Sequence, residues 1–329
     1  MKRFAMLFLE SKARRFGVWL LCGCAAAGCE EKARTPMGDA ATTDASSFGD
    51  PSESLGPPPD LTAGSTTTGD VAPQPIACGQ AAGNICGETT DSIAGLEELA
   101  ALSGCAVYRG SVYLAGVDTT ADLWPLSALQ EVGGRLGIDD RSELETLEGL
   151  ECLEQVGDLH ILGPPSLRDV SSLRNARLSG ELLVSGTTEL ASLDGLQTFS
   201  AARAVGILEN MQLADLEGLS GLERVEVEVL LYRNPLLTDV EGLRNLVDFE
   251  GALAIERSGK LRTLEGLEQI HTLSSLTLLE NPVLESLDGL AGLEHVTGDV
   301  ELRDNAMLST EEIDELLAHV VVDGEVIVE

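Results

Sequence analysis

The chain has 329 residues, 43% apolar but only 3% aromatic, so a core has to be assembled from Leu, Val and Ile. That composition favours small, regularly repeated layers over one large irregular interior. The formal charge of −34 excludes nucleic acid as a partner class, because binding phosphates needs a basic footprint that this surface lacks.

The basic residues gather at the start. Residues 1–28 hold Lys2, Arg3, Lys12, Arg14 and Arg15, after which 16 Lys/Arg face 54 Asp/Glu. An apolar run from Phe16 to Gly28 follows these charges and ends in Ala25-Ala26-Ala27-Gly28-Cys29. Charged, apolar and small-residue regions in that order read as a secretory signal peptide, and the run is too short to span a bilayer. Ala26-Ala27-Gly28-Cys29 resembles a bacterial lipobox, with Ala26 where Leu is usual, and this resemblance implies lipidation of Cys29. The expected location is the cell envelope, at the outer membrane or cell surface, with membrane contact through the lipid alone.

Residues 29–75 are rich in Thr, Ser, Ala, Asp, Gly and Pro, as in Gly64-Ser-Thr-Thr-Thr-Gly69. Such a stretch cannot bury enough apolar area to offset its chain entropy, so a disordered tether is expected. As a flexible coil it would reach about 35 to 40 Å.

Residues 76–329 carry a repeat. Leu144-Glu-Thr-Leu147-Glu-Gly-Leu150 returns as Leu190 to Leu196, Leu213 to Leu219 and Leu284 to Leu290, with Leu167, Leu237 and Leu261 in phase. The steps are 23, 23, 23, 24, 24 and 23 residues, the signature of stacked equivalent coils. Between these corners lie Val112-Tyr-Leu114, Leu136-Gly-Ile138, Leu159-His-Ile161, Leu182-Leu-Val184, Val205-Gly-Ile207, Val229-Leu-Leu231, Leu253-Ala-Ile255, Leu276-Thr-Leu278 and Val300-Glu-Leu302. Apolar residues at i and i+2 read as strands with both side chains inward. Strands separated by about 20 residues can return to one edge only as parallel neighbours, which predicts a right-handed, mainly β parallel solenoid of about nine or ten rungs. Asn210, Asn234, Asn281 and Asn305 each fall three residues before a corner Leu, so an Asn stack at one corner is expected as a structural device.

A stack exposes apolar layers at both ends and needs caps. Ser92 to Leu102 reads as a helix at one end. Ser309-Thr-Glu-Glu312 reads as a capping box before a helix from Ile313 to His319 at the other, followed by a last strand, Val326 to Val328. Cys78, Cys86, Cys105 and Cys152 allow three pairings. Cys86 with Cys105 is favoured as a staple for the capping helix, with Cys78 and Cys152 either paired or unpaired. No CxxC pair occurs among these four, so neither zinc nor any other metal or cofactor is expected.

Cys86-Gly87, then Leu99-x-x-Leu102-x-Gly104-Cys105, then Gly110-Ser-Val-Tyr-Leu114 and the Leu-x-x-Leu-x-Gly-Leu rungs together resemble the receptor L-domain family over residues 86–328. The resemblance implies a leucine-rich-repeat-like solenoid that binds a ligand. The number of rungs exceeds what one such module usually has, which implies two fused without a break.

The middle residue of each strand should point outward, giving the column Tyr113, Gly137, His160, Leu183, Gly206, Leu230, Ala254, Thr277 and Glu301. Two positions on lies a second, with Leu162, Ser185, Leu208, Tyr232 and Glu256. Leu162, Leu183, Leu208, Leu230 and Tyr232 would then form an exposed apolar patch across four rungs, a candidate face for a protein or glycan ligand. Glu148, Asp194, Glu217, Glu241, Glu265 and Asp288 align as a solvated acidic edge. Asp158 and Glu181, with His160 and Arg135 nearby, are the one carboxylate pair placed as a glycan-cleaving β-helix enzyme would need. A regular acidic surface explains them more simply as ion pairs, so no enzymatic activity is expected. A binding module is the leading reading, with a passive envelope spacer as the alternative.

Overall fold

The computed structural model describes residues 78, 84–86, 92–94, 96–115, 117, 120–140 and 143–329, all within one compact unit, Thr67–Glu329. The expected signal peptide, Cys29 and the expected tether lie outside the described residues.

The strand triplets pair as their spacing requires. The long ladder runs through β1 (Ser111–Leu114), β2 (Glu131–Asp139), β3 (Gln155–Leu162), β4 (Glu181–Ser185) and β5 (Ala201–Leu208). It continues through β6 (Arg224–Tyr232), β7 (Ala252–Glu256), β8 (Ser275–Leu279), β9 (Val300–Arg303) and β10 (Val326–Val328). Short strands at Ile85–Cys86, Ser92–Ala94, Val107–Tyr108 and Arg177–Leu178 complete a 14-stranded parallel sheet, and a second, three-stranded sheet lines another side of the last rungs. The fold is a mainly β parallel solenoid.

The register places Leu182, Val205, Val229, Leu253 and Leu276 in one column and Val184, Ile207, Leu231, Ile255 and Leu278 in a second. None of these ten side chains is more than 1% exposed. They meet the corner leucines, such as Leu190, Leu193 and Leu196, in one continuous core. With about 4.8 Å between parallel strands, each layer rests on the next. One of the 24-residue steps has a local cause. β6 has two residues, Glu226 and Val227, between Val225 and Glu228 where β5 has one, Arg203, between Ala202 and Ala204, a bulge that absorbs the extra residue.

The glycine of the Leu-x-Gly-Leu corner, or Val-x-Gly-Leu at Val240, serves two geometries. At Gly195 the backbone takes φ +112°, which a side chain disfavours, and the Gln197 side chain accepts the glycine N–H at 2.7 Å. At Gly242 the chain forms a short 3₁₀ turn instead, and a Cβ would lie 1.9 Å from the Leu216 carbonyl oxygen of the preceding rung. In the second case it is the close approach of two rungs that demands glycine.

At the N-terminal end the expected helix begins late. Ser92–Ala94 is instead a strand paired with β1, which covers that strand's main-chain edge, and the helix α1 spans only Leu96–Ala100. At the other end α2 (Thr310–His319) starts on Ser309, whose side chain accepts the Glu312 N–H at 3.2 Å. The Glu312 carboxylate reaches the previous rung and accepts the Leu287 N–H at 3.0 Å. The four cysteines pair as Cys86–Cys105 and Cys78–Cys152, with Cα separations of 5.7 and 5.2 Å. The sequence separations of 19 and 74 residues correspond to about 3 and about 4 kcal/mol of lost loop-closure entropy in the unfolded chain.

The Asn corner is a hydrogen-bond ladder. Asn210, Asn234, Asn281 and Asn305 donate their side-chain amides to the carbonyls of Val184, Ile207, Ile255 and Leu278 on the preceding rungs. Their side-chain oxygens accept the N–H of the corresponding residue one rung back, as in Asn210 N–H to Asn234 Oδ1 at 3.1 Å. Ser258 occupies the same position but is too short to donate backward, and its hydroxyl is buried without a hydrogen bond. Ser258→Asn should restore the missing donor to Leu231 and raise stability by about 1 kcal/mol. A chemical-denaturation midpoint that does not rise would show that this rung cannot hold the amide.

Candidate functional site

The side of the sheet away from the core carries three columns. The middle one reads His160, Leu183, Gly206, Leu230, Ala254 and Thr277 in register. On one flank lie Asp158, Glu181, Ala204, Glu228 and Ala252, and on the other Leu162, Ser185, Leu208, Tyr232 and Glu256. All five residues of the expected face are therefore brought together on adjacent rungs. Leu183, Leu230, Ala254 and Tyr232 belong to no part of the core cluster.

The expectation of an exposed patch is corrected. Leu183, Leu230 and Tyr232 are only 1%, 2% and 5% exposed, while Leu162 and Leu208 are half-buried. Side-chain alternation fixes which side of the sheet a residue occupies, but not whether water reaches it. Among the described residues no helix packs on this side.

Residue size varies along the face. Gly206, Ala204 and Ala254 carry the least side chain and lie around Leu183 and Leu230, with Leu208 and Tyr232 along one edge, and all three small residues are buried. Tyr232 is fixed from behind. Arg257 donates to its hydroxyl at 3.0 Å, and the guanidiniums of Arg233 and Arg257 lie 5.6 and 5.7 Å from its ring centre. Each arginine is in turn held by a carboxylate, Arg233 by Glu209 at 2.9 Å and Arg257 by Glu280 at 2.7 Å.

The polar end of the face lies on β2 to β5. Arg135 contacts Asp158 at 3.4 Å, Asp158 accepts the Glu181 N–H at 2.9 Å, and Arg203 pairs with Glu181. Asp158 and Glu181 are thus tied into backbone and ion-pair contacts. His160 is buried between them, with Nε2 lacking a hydrogen bond and 3.8 Å from the Glu181 carboxylate. Burial, then the Arg135 guanidinium, pushes His160 down from its ordinary 6.5 to about 4, against a smaller upward pull from Asp158. The imidazole is therefore neutral at pH 7.

No family model and no curated protein matches the chain. What the chain can do has to be read from the face itself: a buried apolar stripe, one neutral histidine, and flanks on which arginines and carboxylates are tied into ion pairs. Sequence reasoning placed the leucines, the tyrosine, Gly206 and Glu256 in their columns but missed that Ala204 and Glu228 continue the column of Asp158 and Glu181. The signal was present in the strand register, since Glu228 follows the bulge and falls into the same column as Glu181.

Proposed function

We propose that the protein is an exported, lipid-anchored component of the bacterial envelope whose solenoid acts as a binding module through the outward strand face. Cys29 would carry the lipid, and residues 29–75 would hold the folded part away from the membrane. No helix among the described residues is long and apolar enough to cross a membrane, so in this reading the lipid is what retains the protein there.

The observation that carries the binding role is the apolar stripe Leu183, Leu230 and Tyr232, placed on the side of the sheet opposite a core that is already complete without it. A folded chain gains nothing in core packing from such a stripe, and contiguous apolar side chains that take no part in a core are what an interaction face needs. The resemblance to receptor L-domains favours the same role, as ligand binding is what that family's solenoids do. A passive spacer would need only a solvated face.

Cross-linking on intact cells, followed by recovery of the protein from the envelope, tests the proposal. The wild-type chain should retain a discrete partner that Leu183→Asp with Leu230→Asp loses at least tenfold, while the melting temperature falls by only a few degrees. The same cross-linked species in equal amount from both proteins would remove this face from consideration.

A further inference from the structure

We infer that the Cys78–Cys152 disulfide is a thiol-exchange site. A dithiol reductant, such as an oxidoreductase with two active-site cysteines, opens it in the folded protein while Cys86–Cys105 stays closed. The site is independent of the strand face.

Two observations separate the disulfides. The first is where each sits relative to the core. Cys105 is fully buried within the core cluster and Cys86 packs against that cluster, so their bond is reached only when a core layer opens. Cys152 lies between the core residues Leu150 and Leu153 yet takes no part in the cluster, and Cys78 is exposed. The second is the space beside the bond. Cys78 and Cys152 line a cavity of about 350 Å³ together with the polar residues Glu151, Glu154, Gln155, Asn175 and Arg177. Its walls are fixed by bonds of their own. Asn175 donates its side-chain amide to the Glu151 carbonyl at 3.0 Å, and the Arg177 N–H donates to the Glu154 carbonyl at 2.9 Å. Exchange is governed by access to a sulfur, which places the first bond within reach of a thiol and the second out of reach.

The reaction balances between the two partners. One thiolate of the reductant bonds to Sγ of Cys78, the exposed member, and the electron pair of the protein disulfide leaves with Sγ of Cys152, which takes up a proton. The second thiol of the reductant gives up its proton and attacks the reductant sulfur of this mixed disulfide. That closes the reductant's own disulfide and releases Cys78 as the second thiol. Two electrons pass to the protein, and no core layer is disturbed. The closed bond ties the chain ahead of Cys78 to the corner that leads into β3, 74 residues further on. Once it opens, that chain is joined to the solenoid through its backbone alone.

The test uses the full, oxidised chain, its free thiols first blocked with N-ethylmaleimide. Dithiothreitol is added at mildly alkaline pH, new thiols are trapped with iodoacetamide at intervals and mapped by mass spectrometry, and circular dichroism is followed in parallel. Cys78 and Cys152 should be alkylated at least tenfold faster than Cys86 and Cys105, with the sheet signal unchanged once the first pair has opened. A thioredoxin whose second active-site cysteine is replaced by serine cannot complete the second step and should be caught as a mixed disulfide on Cys78. Both bonds opening at one rate, Cys86–Cys105 opening first, loss of the sheet signal along with the first bond, or a mixed disulfide on another cysteine or none at all would each overturn the proposal.

Discussion

Asn234→Ala should cost about 3 kcal/mol of folding stability although it removes no apolar contact. Asn234 is fully buried, donates to the Ile207 carbonyl at 2.8 Å and accepts the Asn210 N–H at 3.1 Å. Its removal strands a carbonyl and an N–H at once, inside a stack where water has no path to either. Each orphaned buried group costs about 1 to 3 kcal/mol. Asn234→Asp separates donor from acceptor, since it retains the oxygen that accepts from Asn210 but places a second oxygen against the Ile207 carbonyl. It should be at least as destabilising at pH 7 as the alanine. Denaturant titration followed by circular dichroism measures both. If both variants lie within about 0.5 kcal/mol of wild type, the corner is hydrated and the ladder is not a source of stability.

The ladder also explains why neighbouring rungs share a register. Each Asn side chain contacts the preceding rung through both its oxygen and its nitrogen, so a slip of one residue would break both contacts and turn every inward side chain outward. The residue just before the Asn column takes a left-handed conformation at five rungs without glycine: Glu209, Arg233, Arg257, Glu280 and Asp304, with φ between 53° and 57°. The strain at these corners persists because the adjoining strand and ladder fix the chain on both sides. At Gly163 and Gly186, on the two preceding rungs, glycine occupies the same place with φ of 73° and 71°.

Much of this architecture was legible in the sequence because a solenoid repeats its physics. The 23-residue step, the inward pairs such as Leu182 and Val184, and the Asn three residues before each corner Leu are local patterns, and each recurs often enough to define a column. Register follows from these columns, which puts His160, Leu183, Gly206 and Leu230 in one line. The features that escaped were those that do not repeat. Ser92–Ala94 has helical neighbours but is drawn into the sheet by the unpaired edge of β1, a tertiary demand that outweighs local propensity. The bulge between Val225 and Glu228 is visible in the sequence only as a step one residue longer, with nothing to say where in the rung the extra residue lies. The dryness of Leu183 and Leu230 was illegible for a different reason: alternation reports the side of a sheet, whereas burial depends on what stands over it.

That distinction gives the most direct test of the central claim, that the Leu183 column lies outside the core. Leu182 and Leu183 are neighbours in β4, each 1% exposed, and differ only in the side of the sheet they occupy. Leu182→Asn places an amide in a sealed core layer and should cost at least about 4 kcal/mol, from the lost apolar burial together with an unsatisfied polar group. Leu183→Asn leaves every layer of the core cluster filled, because Leu183 has no part in it, and should cost about 1 kcal/mol. Denaturation midpoints for the two variants, measured side by side, should differ severalfold in their displacement from wild type. Equal displacements would mean that both leucines belong to one interior, and the proposed binding face would then have no place on this molecule.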